Sequence, residues 1–293
     1  MSIKKWLQGN TTRLDGKTVA ITGSTGALGH ALCRYLAELG ASLILIDRNA
    51  ARSMRLCDEL RADFRNIAVT CITADLESIQ SVRQAASALC ELCIDIFIHN
   101  AGAYAIPRHK CETGLDNVFQ INFMSPYYLI RTLLPQLRTR KGRVIIVSSI
   151  AHNYAKSDPE DVDFSKRKRA SLVYGNAKRY LTFSLAELFQ NEPEVTLSIT
   201  HPGISFTGIT AHYPKVIYAL IKYPMKLIFM KPKKACLSTL RGVFEPTEHG
   251  TWTGPRYWGI WGLPKKRALR TAEKAERMRI AQTAQRLYES IKQ

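Results

Sequence analysis

Six short, nearly continuous apolar runs recur between residues 18 and 200, separated by longer stretches with helical spacing. They fall at residues 18–22 (TVAIT), 42–46 (SLILI), 68–72, 94–99, 143–147 and 195–200. Runs this uniformly apolar are buried on both faces, the condition of a parallel sheet covered by helices on each side. The alternation continues to about residue 205 with no repeat or low-complexity break, which predicts an α/β chain built as a doubly wound parallel sheet. At 293 residues, 46% of them hydrophobic, the chain can bury one sizeable core. A mainly disordered chain is excluded.

Past residue 205 the rhythm changes. Residues 212–230 are rich in Tyr, Ile, Leu and Met, with Lys215, Lys222 and Lys226 interspersed. Residues 250–264 are dense in Gly, Trp and Pro and read as loop, and a basic, helix-compatible tail follows. The expected division is a single domain over residues 1–263, with an apolar lid at about 205–235, and a basic helical tail over 264–293.

The charge is unevenly spread. Lysine and arginine number 42 against 24 acidic residues, a net +18. Residues 1–130 carry 13 basic and 12 acidic residues, whereas residues 131–293 carry 29 and 12. A uniformly basic nucleic-acid binder would not leave its first 130 residues nearly neutral, and no nucleic-acid-reading module is present, so specific nucleic-acid binding is not expected. No apolar run of about 18 residues predicts a spanning helix, and the N-terminal residues lack the apolar core of a secretory signal. The seven cysteines (33, 57, 71, 90, 93, 111 and 236) are an odd, scattered set that suits free thiols in a reducing compartment. Cys90 and Cys93 form a lone C-x-x-C without a partner pair, and no metal site is expected. The expected location is cytoplasmic.

Thr22, Gly23, Ser24, Thr25, Gly26, Ala27, Leu28 and Gly29 lie between the first strand and the first long helix. Glycines there permit a tight turn, and the helix N-terminus attracts a pyrophosphate. The second strand ends at Asp47-Arg48. A carboxylate at that point can accept from adenosine ribose hydroxyls and repels a 2′-phosphate, which favours NAD. The neighbouring Arg48 guanidinium, able to pair with that phosphate, leaves NADP open. Tyr174 and Lys178 are four residues apart, on one helical face. An adjacent ammonium lowers the cost of a phenolate, so the tyrosine could exchange a proton near neutral pH. The spacing alone carries little, because Tyr218 and Lys222 share it. The first pair is set apart by Ser148-Ser149, which closes an apolar strand at the carboxyl edge where open α/β sheets bind ligands.

These residues resemble the short-chain dehydrogenase/reductase family, over roughly residues 15–260. The pattern T-G-x-x-x-G-x-G is met at Thr22, Gly23 and Gly29, with Ala27 where the middle glycine belongs, and tighter packing against a cofactor is expected there. The resemblance implies a Rossmann-type sheet with helices on both faces and a nicotinamide dinucleotide held by residues 22–29, Asp47 and Arg48. It places Asp75-Leu76 at the adenine and Asn100-Ala101-Gly102 after the fourth strand, although His99 stands where the family has asparagine. Pro202-Gly203 with Thr207 would lie along the nicotinamide and its phosphates. The implied catalytic set is Asn122, Ser149, Tyr174 and Lys178, with Asn122 fixing a relay water and Tyr174 and Lys178 also touching the cofactor. The 25-residue interval from Ser149 to Tyr174, together with V-S-S-x-x-H ending at His152, resembles the retinol-dehydrogenase-like branch.

The implied activity is hydride transfer between NAD(P) and an alcohol, ketone or aldehyde. The apolar lid favours a hydrophobic substrate such as a steroid, retinoid or lipid-like molecule. The same apolar side chains could instead build a subunit interface, which leaves a homo-oligomer open. Lysines flanking the lid, with Trp252, Trp258 and Trp261 nearby, point to peripheral contact with an anionic membrane. The rival function is a non-catalytic dinucleotide-binding redox sensor or scaffold.

Overall fold

The computed structural model describes residues 2–203, 230–269 and 271–292. The lid residues 204–229, Thr207, Tyr218 and Lys222 among them, lie outside the described residues. Eight strands form one sheet: β1 (Thr18–Thr22), β2 (Ser42–Asp47), β3 (Val69–Thr73), β4 (Ile96–His99), β5 (Arg143–Val147), β6 (Thr196–Thr200), β7 (Thr251–Tyr257) and β8 (Trp261–Ala268). Their order is β3-β2-β1-β4-β5-β6-β7-β8, parallel through β7, with β8 antiparallel to β7. The six expected strands are all present, and the Rossmann-type fold is the one observed.

Neighbouring residues of one strand feed opposite cores, which is why the strands read as unbroken apolar runs. On one face Ala20, Ile44, Ile46 and Phe97 pack against α4 (Ile79–Cys90), α6 (Ser125–Thr139) and α7 (Ala170–Leu188). On the other, Val19, Ile21, Leu43, Leu45 and Ile98 pack against α2 (Ala27–Glu38) and α3 (Ala50–Asp63). Here α1 is Ile3–Asn10 and α5 is Asn117–Phe119, α8 is Pro232–Ala235 and α9 is Leu237–Phe244, and α10 is Lys274–Lys292.

Residues 250–264 are not the loop expected from their glycine and proline content. They form most of the β7–β8 hairpin. The glycines make room for an indole: a Cβ on Gly254 would lie 2.7 Å from the Trp252 ring, and one on Gly259 would lie 3.2 Å from it. Trp252 is thereby buried, and β8 runs on through Ala268, past the point where the basic tail was expected to begin. Farther on, α10 lies along α7 and contributes Ile280, Ala284, Tyr288 and Ile291 to the core. Among the described residues, no helix is long and apolar enough to cross a membrane.

Candidate active site

The sheet order reverses between β1 and β4, and ligands of open α/β sheets bind in the crevice at the carboxyl ends of strands that part in this way. The turn leaving β1 is tightly built. Gly23 has φ +71°, and a Cβ there would lie 2.8 Å from the Ala101 Cα, so glycine is required on both counts. The Asn100 amide donates to the Gly23 carbonyl at 2.9 Å, and the Asn100 and Ala101 backbone amides both donate to Thr22 Oγ1 at 3.1 Å. The N-A-G sequence therefore locks the glycine turn against the end of β4. Gly26 begins α2 with no side-chain cap and no acid in the first turn, whereas α3 and α4 are capped by Asn49 and Ser78. An uncapped helix start with a positive dipole end, opening on the crevice, fits a dinucleotide pyrophosphate. Ala27 is exposed on this first turn, with Leu28 half-buried and Gly29 buried behind it.

Asp47 ends β2 but faces inward, only 5% exposed. One carboxylate oxygen accepts from the Thr25 backbone amide (3.1 Å) and hydroxyl (2.9 Å). The other accepts from the Ser24 hydroxyl and from the Ser53 hydroxyl at 3.3 Å. A carboxylate has about four acceptor positions, so Asp47 organises the glycine loop and has little capacity left for ribose hydroxyls, the role that the sequence favoured. Arg48 projects outward with its side chain 70% exposed, and Glu77 is 3.9 Å away. Asp75 is half-buried and accepts from the Glu77 amide at 3.0 Å, and Leu76 is buried beside it. Pro202 and Gly203 are buried where the chain leaves β6.

The four expected catalytic residues converge from three elements, Tyr174 and Lys178 sharing α7. Asn122 lies in a π-helical turn (Gln120–Met124) between α5 and α6, a distortion common at functional sites. Its amide nitrogen donates to the Ala103 and Val118 carbonyls, both at 2.8 Å, and its oxygen accepts from the Ala103 amide at 3.2 Å. The Asn122 side chain is thus a brace for the loop after β4, with no amide proton left for a relay water. Ser149 begins the turn after β5, and its hydroxyl accepts from the Ala151 amide at 3.2 Å. It is also hydrogen-bonded to the Tyr174 hydroxyl. Lys178 is 2% exposed, donates to the Val147 carbonyl at 3.0 Å and lies 5.7 Å from the Tyr174 ring centre. Gly102 joins the set: a Cβ there would lie 2.9 Å from Asn122 Oδ1 and 3.5 Å from Lys178 Nζ.

Burial governs the acid–base state of the pair. It pushes the Tyr174 phenol up to about 12 against the opposing pull of the Ser149 hydrogen bond, and it lowers the Lys178 amine to about 7. Loss of hydration is the largest influence on both groups. A neutral phenol is the form that can donate a proton. His99 is buried with Nδ1 3.0 Å from the Thr22 hydroxyl, and burial holds it well below the ordinary histidine range. Thr22 Oγ1 already accepts two amides, so its proton goes to Nδ1 and the ring is neutral with Nε2–H.

Two aromatic residues at this site were not singled out from the sequence. The Tyr104 ring meets Tyr174 edge-on at 5.3 Å, and Tyr154, 52% exposed, stands on the Ser149 turn close enough to oppose ionisation of Tyr174. Their signal was position: one lies two residues beyond the N-A-G sequence and the other five beyond Ser149.

Residues 17–158 match the model of the short chain dehydrogenase family. Retinol dehydrogenase 12 of Mus musculus is 31% identical over 219 residues, covering 71% of this chain and 69% of that protein. Among solved structures, an uncharacterized protein of Mycobacterium Paratuberculosis superposes with a TM-score of 0.74 at 23% identity, covering 97% of this chain and 96% of the other. The Pseudomonas aeruginosa RhlG/NADP complex superposes with a TM-score of 0.61 at 25% identity, covering 80% and 91%. With its glycine turn, N-A-G sequence and converging Ser-Tyr-Lys set, the chain belongs to the short-chain dehydrogenase/reductase family of oxidoreductases, in its retinol-dehydrogenase-like branch.

Proposed function

We propose that this protein interconverts a hydrophobic alcohol and the corresponding ketone or aldehyde, with NADP(H) as the dinucleotide. The observation that carries the proposal is the convergence of Ser149, Tyr174 and Lys178 at the carboxyl edge of the sheet, with Gly102 packed between Lys178 and Asn122. When bound, the dinucleotide supplies the hydride donor or acceptor at its nicotinamide. Tyr174 gives its proton to the substrate oxygen in the reductive direction, and Ser149 holds that oxygen by a hydrogen bond. Lys178 carries the charge that supports the tyrosinate left behind. Asn122 keeps the loop after β4 at a fixed distance from these groups.

A hydrophobic substrate, of steroid, retinoid or other lipid-like class, is supported by the apolar sequence of residues 204–230 and by the retinol dehydrogenase named among the relatives. The cofactor preference rests on Asp47 and Arg48. With the Asp47 carboxylate engaged by Ser24, Thr25 and Ser53, the exposed Arg48 is the group at the end of β2 left to meet an adenosine 2′-phosphate. Screening retinoids, steroids and aliphatic aldehydes with NADPH and NADH separately, by absorbance of the reduced nicotinamide, tests both parts. NADPH is expected to be the better donor. Arg48→Leu is expected to raise its KM by roughly 10-fold or more, in keeping with a lost charge-assisted pair, with the KM for NADH little changed. No turnover with any hydrophobic carbonyl would defeat the substrate assignment, and equal KM changes for both dinucleotides would defeat the role of Arg48.

A further inference from the structure

We infer that the tip of the β7–β8 hairpin is a docking surface for an anionic lipid membrane. Tyr257, Trp258 and Trp261 are 49%, 84% and 45% exposed. They form one cluster, with the Tyr257 ring centre 6.5 Å from that of Trp258 and 6.4 Å from that of Trp261. Trp258 holds φ at +50°, a backbone conformation uncommon outside glycine, while presenting its indole to solvent. Large rings with one polar edge are the side chains that favour the headgroup layer of a bilayer.

The charged side chains recorded against the rings of the cluster are cations. Lys234 Nζ lies 3.8 Å from the Trp261 ring centre and Arg256 lies 6.0 Å from that of Tyr257, while Lys231 and Lys233 are exposed on the adjoining turn into α8. The sequence has no acidic residue between Glu194 and Glu245, and none between Glu248 and Glu273. An aromatic cluster ringed by uncompensated cations complements an interface of anionic headgroups, and a neutral protein surface would not call for it.

The position of the tip gives the contact a use. Gly259 packs against Ile150, the neighbour of Ser149: a Cβ on Gly259 would lie 3.4 Å from Ile150 Cγ2. Pro255 crowds Gly203, where a Cβ would lie 2.8 Å from its ring. Docking the tip therefore turns the mouth of the crevice toward the bilayer, the source of a lipophilic substrate. That use rests on the hydride-transfer proposal. The docking itself does not, and it is measured without turnover.

The test is co-sedimentation of the full chain with phosphatidylcholine vesicles, with and without phosphatidylserine, alongside tryptophan emission. Trp6 and Trp252 are buried, at 2% and 8% exposure, so a shift on lipid addition reports the tip. Binding and a blue shift are expected with phosphatidylserine only, weakening as salt screens the charges. A Trp258→Ser/Trp261→Ser double variant is expected to lose roughly 10-fold or more in partitioning as two interfacial rings are removed. Lys231→Glu/Lys233→Glu should abolish the phosphatidylserine dependence while the thermal midpoint of the protein is retained. Absence of vesicle binding, or binding equal in parent and variants, would overturn the inference. So would a concentration-dependent dimer that the tryptophan variant loses without any lipid binding, an outcome that assigns the patch to a second copy of the chain.

Discussion

Tyr174→Phe is expected to lower kcat by about 10²–10⁴-fold, the usual contribution of a positioned proton donor, while the dissociation constant for the dinucleotide stays within about 2-fold, as for a group acting mainly in the transition state. The substitution removes one oxygen and keeps the ring, so the edge-on contact with Tyr104 at 5.3 Å and the packing on α7 survive. The hydroxyl hydrogen-bonds Ser149, and burial keeps it protonated well past neutrality, so in the reductive direction it is the available acid. Steady-state kinetics combined with a separate binding titration make the measurement. More than a few per cent of residual turnover would remove Tyr174 from the chemistry and with it the hydride-transfer proposal.

Glu276→Ala is expected to destabilise the fold by about 3–5 kcal/mol, the range for stripping one partner from a buried ion pair, and to lower the thermal midpoint by roughly 10 °C. Glu276 opens α10 and meets Arg179 of α7 through two hydrogen bonds, at 2.8 and 2.6 Å, with both side chains buried. Arg179 also donates to the His152 and Thr271 carbonyls, each at 2.8 Å, and Glu276 accepts from the amide and hydroxyl of Ser157 at 2.8 and 2.9 Å. The pair thus ties the C-terminal helix to the turn that carries Ser149. Removing the carboxylate leaves a buried guanidinium and two Ser157 donors without their acceptor.

The same pair makes the fold acid-sensitive in a defined window. Arg179 and Ser157 hold the Glu276 carboxyl down to about 2, against burial, from an ordinary 4.5. A carboxyl with a depressed folded value stabilises the protein above about pH 4.5, and that contribution, about 3 kcal/mol, is lost as pH falls from 4.5 toward 2. His152, lowered by burial to about 4, adds a loss between pH 6.5 and 4, because the unfolded chain binds the proton first. His99 and His201, also lowered by burial, add losses of the same sign, so denaturant midpoints should fall continuously from about pH 6.5 downward, and the fall below pH 4.5 should be shallower in Glu276→Gln.

Most of the sheet was legible because its signals are local. Six of the parallel strands declare themselves by unbroken apolar runs, and Val19 against Ala20 or Leu43 against Ile44 explains the runs by sending neighbours to opposite cores. The glycine turn, the N-A-G sequence and the Tyr174–Lys178 spacing were legible for the same reason, since a tight turn or one helical turn is specified within a few residues. The β7–β8 hairpin was hidden because its glycines serve the Trp252 ring and not a turn alone.

The sequence by itself determined the fold class, the family and the identity of the residues gathered at the crevice, because each depends on short-range spacing and chain order. Only the tertiary structure decided where individual protons and lone pairs are committed. It gave the Asp47 carboxylate to the glycine loop, the Asn122 amide to the Ala103 backbone, and the Arg179 guanidinium to a glutamate 97 residues away. It also made lost hydration the largest influence on Tyr174 and Lys178. Hydrogen-bond partners and desolvation are set by which distant segments pack together, and spacing along the chain does not encode them.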